Sequence, residues 1–452
     1  MERASEMKLN TKRTFLIGVV FLSISLLNGA HDNMTSKILL NQFNLDTLAS
    51  GLIMAIDNIL ALFMLPIFGR FSDACNSKWG KRKPYVVWGT LAACLFLALF
   101  PIAIEMNSLP LFTVLICLFL ISLGTYRSAG VALVSDMTIK PLRSSANAII
   151  NLMGAVAYVI GQVATMFLYK DIGADGTRAL PIMFAYLPYI VITLVCLAIY
   201  FFKIPERKWT EEREKLEDEL HLEDEAVEEN GVKVKLDKDH FVSLMLVLVS
   251  IVLWTFGYNA VTTFYSQYAD IVLGIKDGFF AAFGIVAGVA SFASYIPIGW
   301  MATKYGRRKT IIFGLGIAAV AMFGGIFIRG EVAWLLVILF MMVGIAQAAI
   351  TVNTLPMVVE FANKHTIGQF TGYYYIATQS AQAISPVIIG GIMKLLSVEH
   401  GIGIAGPNGM LALFPYSMIF VILSLIPLLF TKFGDAKAVP KKSALEMLDI
   451  DD

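Results

Sequence analysis

The sequence predicts an all-α membrane protein with twelve transmembrane helices in two pseudo-symmetric six-helix bundles. Three observations predict this fold: 57% of the 452 residues are apolar, the apolar residues form runs of spanning length, and the second half of the chain repeats motifs of the first. A membrane helix uses about 20 apolar residues, so this composition is enough for roughly twelve spans. The runs lie near 14–38, 47–68, 85–104, 111–136, 146–169, 181–203, 241–268, 278–302, 310–329, 332–360, 368–396 and 411–432.

The charge composition excludes several classes of soluble protein. Only 15% of the residues are charged, whereas an ordinary soluble domain has about 25%. The net charge of +1 gives no excess for attracting a polyanion, so no nucleic-acid partner is expected. The sequence contains no G-x-x-x-x-G-K-[ST] phosphate-binding loop, and its four cysteines match no metal-ligand spacing. We therefore expect neither an enzyme nor a bound cofactor or metal.

The distribution of lysine and arginine predicts the orientation of the spans. Of the 35 basic residues, 28 fall in the alternate segments that face the cytoplasm if both termini are inside. Positive charge near the ends of spans is retained in the cytoplasm. We therefore expect a multi-pass protein of the plasma (cytoplasmic) membrane with both termini cytoplasmic.

The two halves of the chain repeat each other, which composition alone does not require. GRFSDACNSKWGKRK (69–83) and GWMATKYGRRK (299–309) occupy the loop after the second span of each half. Asp136 and Glu360 end the fourth span of each half. This correspondence predicts two copies of one six-span arrangement.

The repeat also predicts the domain organisation. We expect an N-terminal six-helix bundle over 1–203, a cytoplasmic linker over 204–240, and a C-terminal six-helix bundle with a short cytoplasmic tail over 241–452. The linker is acidic and partly helical by pattern. A solvated connector is favoured over a regulatory contact for this segment.

The loop sequence GRFSDACNSKWGKRKPY resembles the signature of major facilitator proteins, in the form found in sugar-cation symporters. These are the sucrose-proton symporters with their relatives in solute carrier family 45, and the glycoside-pentoside-hexuronide symporters. VALVSDMTIKPLRSSANAIINLMGAVAYVIG, which joins the fourth and fifth spans, resembles the same stretch of the sucrose-proton group. The superfamily resemblance covers nearly the whole chain, and the sugar-symporter resemblance covers mostly 47–165. The resemblance implies proton-driven import of a small sugar by alternating access.

The resemblance also implies a gating role for the loop signature. Gly69 permits close approach of helices, and the charged residues can form a cytoplasmic network that breaks when the inner gate opens. The charged members are Asp73, Lys81, Arg82, Asp136 and Arg143, with Arg307, Arg308 and Glu360 in the second half. Retention of positive charge in the cytoplasm is the simpler role of the basic members, and the two roles are compatible.

The coupling residues of these families do not recur at the matching positions. Leu120 and Val131 stand where the sucrose symporters have an acid and an arginine. Ala61 and Leu65 stand where melibiose-type sodium symporters have two carboxylates. Sodium is therefore disfavoured, and the proton is the expected coupling ion.

Four ionisable residues within the predicted spans are candidates for proton coupling: His31, Asp32, Asp57 and Arg127. An unpaired charge at mid-bilayer costs about 2.5 to 3.5 kcal/mol on insertion scales, so each such residue suggests a function. We hypothesise that Asp57 is the protonatable carboxylate, with Arg127 as its partner or as a donor to sugar hydroxyls. His31 is a second proton candidate. A permanent structural ion pair of Asp57 and Arg127 is the alternative.

A sugar site requires amides that bind hydroxyl groups and aromatic faces. Spans 3, 6, 9 and 12 are almost purely apolar, as expected of helices that face lipid, whereas most other spans carry polar residues at helical spacing. The substrate-binding candidates are Asn28, Asn58, Asn151, Tyr158, Gln162, Tyr258, Asn259, Gln347, Tyr375, Gln379 and Gln382. Interhelical hydrogen bonding or packing is the alternative role of each.

The leading prediction is a secondary active transporter that imports a disaccharide or glycoside with protons. Its expected partners are the sugar, the proton and the lipid bilayer, with no obligate protein partner. One alternative is a facilitator or antiporter for another polar organic solute. A second alternative is a membrane sensor that binds its ligand without transport and signals through the 204–240 linker.

Overall fold

The structure is a computed structural model that contains helices and no strands in the residues it describes. These residues are 10–139, 142–171, 180–219, 237–362 and 367–433, and the side chains at 143–145, 147, 148, 180, 181, 331 and 367–369 are outside the described set. Twelve helices in the described ranges are long and apolar enough to cross a membrane. The prediction of an all-α protein with twelve transmembrane helices is therefore confirmed.

The helices follow the predicted apolar runs closely. The first six spans are α1 Thr11–Asn41, α2 Thr47–Asp73, α3 Lys83–Glu105, α4 Leu109–Met137, α5 Arg143–Leu168 and α6 Leu180–Lys203. A short polar helix, α7 Glu206–Glu219, follows them. The last six spans are α8 Lys238–Ile271, α9 Ala281–Tyr305, α10 Arg307–Phe327, α11 Leu336–Val359, α12 Ile367–Leu396 and α13 Leu413–Phe430.

Local sequence signals account for several helix ends. The side chains of Asp46 and Ser108 accept hydrogen bonds from backbone N–H groups three residues later, at 2.8 and 3.4 Å, and so cap α2 and α4. Gly80 and Gly306 precede α3 and α10 with φ angles of +122° and +96°. Glycine adopts this backbone conformation without steric cost, so the repeated glycine serves the same turn in both halves.

Small residues bring consecutive spans close together, as is common between membrane helices. A Cβ atom at Gly89 of α3 would lie 2.7 Å from the Cβ atom of Tyr126 on α4. In the second half, a Cβ atom at Gly314 of α10 would lie 2.7 Å from that of Ala349 on α11. A larger side chain at either glycine would therefore force the two helices apart.

The chain forms two compact units that do not coincide with its two halves. One unit takes in residues 1–228, 263–285 and 386–410, and the other takes in 229–262, 286–385 and 411–452. The first unit thus includes the end of α8, the start of α9 and the end of α12. The domain boundaries at 203 and 240 stay a prediction.

Contacts near the ends of the spans explain why the first unit includes part of α12. Thr47 Oγ1 donates to the carbonyl oxygen of Gly390 at 2.8 Å, and Lys394 Nζ lies 2.8 Å from Asp46 Oδ2. Although burial opposes the effect, the hydrogen bond from Lys394 holds the pKa of the Asp46 carboxyl below its ordinary value. The ionised form of Asp46 is therefore stabilised where α2 begins.

Helix α7 of the linker is not fully solvated. Trp209 is 8% exposed, and the Arg13 guanidinium lies 4.9 Å from the centroid of its ring. Arg13 Nη1 also donates to Glu212 Oε2 at 2.6 Å. The described part of the linker is therefore a helix with one face packed against the first unit, which differs from the solvated connector that its composition favoured.

Candidate functional site

Three ionisable side chains of α1 and α2, here called the α1–α2 cluster, lie together in the first unit. His31, Asp32 and Asp57 place one ring-nitrogen or carboxylate-oxygen atom each within 4.8 Å of one another. His31 Nδ1 lies 3.1 Å from Asp32 Oδ1. The His31 side chain is 1% exposed and that of Asp32 is 58% exposed, so a buried imidazole adjoins an accessible carboxylate. Such a set can hold a proton, and carboxylates are also ligands for small cations.

The imidazole of the α1–α2 cluster is incompletely satisfied. Its ring stacks against Phe119 with 6.4 Å between centroids. His31 Nε2 is buried and has no hydrogen-bond partner among the described residues. A buried polar atom normally has a partner, so this nitrogen is available to a proton or a ligand group.

Arg127 acts on the α1–α2 cluster at a distance. It interacts electrostatically with Asp57, but neither a hydrogen bond nor a salt bridge joins the two side chains within the described part of the chain. The direct contact that the sequence suggested is thus not formed in this structure. The sequence predicts the depth of each residue, whereas their separation depends on how α2 and α4 are rotated about their axes.

The substrate candidates of the first unit differ in accessibility. Gln162 is 4% exposed, and its Nε2 donates to Asn33 Oδ1 at 2.8 Å. Tyr158 hydrogen-bonds to Gln162 and is 39% exposed. Asn151 is exposed, and Asn28 and Asn58 are half-buried. Gln162 thus makes an interhelical hydrogen bond, the alternative named for it, while Tyr158 and Asn151 are exposed; the substrate role of each stays a prediction.

The remaining substrate candidates belong to the second unit. The side-chain oxygens of Asn259 and Gln347 are buried and lack a hydrogen-bond partner among the described residues. Tyr375 is 52% exposed, and Tyr258 stacks on Trp254 with 5.3 Å between ring centroids. Gln379 and Gln382 are half-buried. Amide oxygens and aromatic rings are the kinds of group that sites for polyhydroxylated ligands use.

The loop between α2 and α3 holds a charge network centred on Arg82. Arg82 Nε donates to Asp136 Oδ2 at 2.7 Å, and Arg82 Nη2 pairs with Asp73. Although burial opposes the effect, the hydrogen bond to Asp136 holds the pKa of the Arg82 guanidinium above its ordinary value. Lys81 is exposed, and the side chain of Arg143 lies outside the described residues. The structure thus brings together Asp73, Arg82 and Asp136 of the predicted network.

The other named loop residues adopt a related arrangement. A Cβ atom at Gly69 would lie 3.3 Å from Ser128 Oγ, so α2 and α4 approach closely there. In the second unit, Arg307 Nη1 lies 2.6 Å from Glu360 Oε2. Arg308 Nη2 donates to the carbonyl oxygen of Leu429 at 2.6 Å. Each unit therefore ties the start of its third span to the end of its fourth through an arginine and an acid.

Sequence reasoning missed a second cluster of charges in the first unit, here called the Lys37 cluster. Lys37 is fully buried, and its Nζ lies 2.8 Å from Asp171 Oδ1, 2.9 Å from the carbonyl oxygen of Asp277 and 3.8 Å from Asp270 Oδ2. The backbone N–H groups of Asp171 and Asp277 each donate to the carboxylate of the other. The available signal was a lysine inside an apolar run, which is costly in a membrane unless it is paired.

Comparison with known sequences identifies the family of this chain. The sequence model of the Major Facilitator Superfamily matches residues 14–296 and 285–446, which together span most of the chain. The chain belongs to the Major Facilitator Superfamily. The superfamily prediction is therefore confirmed. No curated protein sequence matches this chain.

Solved structures show the same major facilitator fold. A structure of a proton-dependent oligopeptide transporter has a TM-score of 0.68, 12% identity, and covers 93% of this chain and 98% of its own. The E. coli xylose transporter, inward open, has a TM-score of 0.66 and 15% identity over 94% of this chain and 97% of its own. A bacterial homologue of the human lysosomal transporter Spinster has a TM-score of 0.66 and 12% identity over 93% and 96%. At these identities the likeness shows the fold alone.

Membership in the Major Facilitator Superfamily decides the functional class. The chain is an integral multi-pass membrane transporter and not an enzyme. The fold class and the transporter class therefore agree with the predictions from sequence. The roles of individual residues are not decided by the family.

Proposed function

We propose that this transporter is a proton symporter that imports a small sugar, a disaccharide or glycoside, across the plasma membrane. The α1–α2 cluster carries the proposal, since it holds a buried imidazole and two carboxylates within 4.8 Å of one another. Ionisable groups inside a membrane are expensive and are usually functional. The loop motifs support a type similar to the sucrose-proton and glycoside-pentoside-hexuronide symporters.

Asp57 is the proposed proton-binding group. Its carboxylate and that of Asp32 repel each other when both are ionised, so one bound proton relieves the repulsion. Arg127 attracts the ionised form of Asp57 and acts in the opposite direction. A conformational change that alters these separations then couples proton binding to alternating access. His31 Nε2 offers a second position for the proton.

Accessible rings and unpartnered amides support a polyhydroxylated substrate. Tyr158 and Tyr375 are 39% and 52% exposed. The unpartnered oxygens of Asn259 and Gln347 can accept hydrogen bonds from sugar hydroxyls. The remaining accessible candidates are assigned to substrate binding as well: Asn28, Asn58 and Asn151 in the first unit, and Tyr258, Gln379 and Gln382 in the second.

The gate and the orientation belong to the same proposal. Both termini are cytoplasmic, and the Arg82 network with its counterpart at Arg307 and Glu360 closes the inner side of the transporter. The network must break when the inner gate opens. The basic residues of these loops support this orientation.

The descriptions of the similar solved structures support proton coupling, but they do not agree on one substrate. A structure described as a D-xylose-proton symporter has a TM-score of 0.64 and 14% identity over 93% of this chain and 98% of its own. Another is described as a proton-dependent oligopeptide transporter. Both descriptions name protons while the substrates differ. A facilitator or antiporter of another polar organic solute is therefore the second candidate.

Uptake into proteoliposomes tests the proposal. A panel of mono- and disaccharides is presented to the purified protein under an inside-alkaline pH gradient, and the wild type is expected to accumulate at least one sugar. Asp57→Asn is expected to abolish accumulation but to retain exchange of labelled for unlabelled sugar, since only coupling is lost. Asp239→Asn, an exposed carboxylate at the start of α8, is the control and should accumulate sugar as the wild type does.

Four results would contradict the proposal. Accumulation by Asp57→Asn at the wild-type level would remove this residue from coupling. Equilibration without accumulation in the wild type would indicate a facilitator. Uptake that depends on a sodium gradient would show that sodium, and not the proton, is the coupling ion. Sugar binding without any flux would indicate a sensor.

A further inference from the structure

A cavity of about 620 Å³ lies in the first unit, at its predicted cytoplasmic end and away from the α1–α2 cluster. The loop before α3, the end of α6 and the start of α7 line it. Its charged lining consists of Lys78, Lys83, Arg207, Lys208, Glu206 and Glu211. Trp79 and Phe201 form an aromatic wall, with 5.7 Å between ring centroids.

The two acids of this cavity are already engaged. Glu206 Oε1 accepts a hydrogen bond from the backbone N–H of Arg82 at 2.7 Å, and its Oε2 accepts one from Tyr200 Oη at 3.1 Å. Burial also raises the pKa of the Glu206 carboxyl. Glu211 Oε1 is paired with Arg207 Nε at 3.0 Å. Lys208 lies 4.0 Å from Glu212, which is outside the lining. The excess positive charge of the lining therefore rests mainly on Lys78 and Lys83.

Lys83 is the most constrained of these lysines. It is 9% exposed, its Nζ donates to the carbonyl oxygen of Ile204 at 2.9 Å, and it lies 5.1 Å from the ring centroid of Phe201. An ammonium group has three donors, and no carboxylate of the described residues lies within salt-bridge distance of this one. Glu206 attracts this ammonium group only from beyond salt-bridge distance. An incompletely paired buried charge is costly, so the cavity is suited to an anion.

The surroundings of the cavity are those of a membrane interface. Lys83 begins α3 and Lys203 ends α6, so the cavity adjoins the ends of two spans. Phe202, next to the lining residue Phe201, is 79% exposed, and Trp88 on α3 is 65% exposed. Apolar side chains exposed on spans face lipid tails, and tryptophan is enriched at the headgroup level.

We infer that this cavity binds the phosphate headgroup of an anionic phospholipid from the cytoplasmic leaflet. Lys83 is the buried anchor, and the exposed Lys78 and Lys208 contribute positive charge at the entrance. Basic pockets between transmembrane helices on the cytoplasmic side suit anionic headgroups. The lipid would also tie α7 to α3 and α6, since the lining comes from all three helices and the loop before α3.

The internal repeat provides a matched control for this site. Lys309 in GRRK occupies the position of Lys83 in GKRK, but Lys309 is exposed. The two lysines share their place in the repeat and their predicted side of the membrane. They differ in burial and in the presence of the cavity.

Lipid binding to the intact purified protein tests the inference. Native mass spectrometry is used to titrate phosphatidylglycerol and phosphatidylcholine with identical acyl chains. The wild type is expected to bind one phosphatidylglycerol more tightly than phosphatidylcholine. Each lysine removed in Lys78→Gln and Lys208→Gln should lower that affinity about fivefold. Lys83→Met should remove the preference, and Lys309→Met should retain it.

Thermal unfolding provides a second readout for Lys83→Met. Phosphatidylglycerol should raise the melting temperature of the wild type and of Lys309→Met, but not that of Lys83→Met, because a ligand stabilises only the form that binds it. If Lys83→Met does not fold, the same measurement is made on the Lys78→Gln/Lys208→Gln double variant, in which both substituted residues are exposed.

Three results would overturn the inference. Equal affinity of the wild type for the two lipids would exclude a headgroup site. Equal losses in Lys83→Met and Lys309→Met would show general attraction to a basic surface. Glycerol 3-phosphate or inorganic phosphate that stabilises the wild type as strongly as phosphatidylglycerol would assign the cavity to a soluble anion.

Discussion

Two buried lysines of the first unit have opposite surroundings. Lys37 is fully buried and lies within 4 Å of the carboxylates of Asp171 and Asp270 and beside the carbonyl oxygen of Asp277. Lys83 is nearly as buried and has one carbonyl acceptor and aromatic rings around it. A buried charge requires compensation. The fold itself compensates Lys37, whereas Lys83 is the anchor of the proposed headgroup site.

Glu206 should make the stability of the protein depend on pH. Burial raises its pKa above the ordinary value of 4.5, so the folded state binds the proton more tightly than the unfolded state. The associated stability is fully present below about pH 4.5 and is lost as the pH rises through the folded-state pKa. The Glu206→Gln variant has no carboxyl to deprotonate here and does not lose this stability. The melting temperature of the variant minus that of the wild type should therefore increase with pH.

Melting temperatures measured from pH 4.5 upward check this expectation. Glu211→Gln, which removes an exposed carboxylate of the same helix, should follow the pH profile of the wild type. A difference between Glu206→Gln and the wild type that is constant with pH would show that protonation of Glu206 is not linked to folding.

At the scale of the element, α7 is the part of the linker whose role the structure changes. Arg13 of α1 and Arg213 of α7 connect it to the first unit, since Arg13 pairs with Glu212 and Arg213 Nε donates to the carbonyl oxygen of Asp136 at 3.3 Å. Asp136 also binds Arg82 of the loop network. Helix α7 therefore contacts the same residue as the proposed inner gate.

Removal of the Trp209 side chain should detach α7. Trp209 is 8% exposed, and truncation of a buried tryptophan costs about 3 kcal/mol or more. In Trp209→Ala we expect faster hydrogen exchange across 206–219, while the spans keep their protection. Lys215→Ala, an exposed change on the same helix, should leave the exchange unaltered. Unchanged exchange in Trp209→Ala would show that α7 is held by its ion pairs instead.

At the scale of the whole molecule, alternating access requires contacts at the predicted outer side to separate during each cycle. Asn41 Nδ2 on α1 donates to Asp270 Oδ2 on α8 at 2.7 Å, next to the Lys37 cluster. A disulfide between Asn41→Cys and Asp270→Cys, in a protein whose cysteines at 75, 94, 117 and 196 are replaced, should hold these helices together. We expect oxidation to stop uptake and a reductant to restore it.

A second cysteine pair distinguishes gating from general damage. Ser250 Oγ donates to the carbonyl oxygen of Ser424 at 2.7 Å. Both residues belong to the predicted C-terminal bundle, within which no separation is required, whereas Asn41 and Asp270 belong to different predicted bundles. Oxidised Ser250→Cys/Ser424→Cys should retain uptake. Full uptake by the oxidised Asn41→Cys/Asp270→Cys protein would mean that α1 and α8 stay together at this point throughout the cycle.

Much of the fold could be predicted because its signals are local. Each span is an apolar run long enough for a bilayer, and the glycines at 80 and 306 recur before the third span of each half with positive φ angles in both. The proximity of His31 and Asp32 to Asp57 did not follow from the sequence, which places the first two toward the outer part of their span and Asp57 near mid-depth. The lack of a direct contact between Asp57 and Arg127 could not be predicted either, because it depends on how the two helices are rotated about their axes.

The sequence by itself determined the twelve spans, the repeat and the transporter class, since partition of a segment into a membrane depends on its own composition. Only the tertiary structure decided which charges meet. Lys37 binds Asp171, 134 residues away, and Glu206 accepts from the backbone of Arg82, 124 residues away. Such partners are selected by the packing of whole helices, which brings distant residues together and leaves Lys83 buried while its repeat counterpart Lys309 remains in solvent.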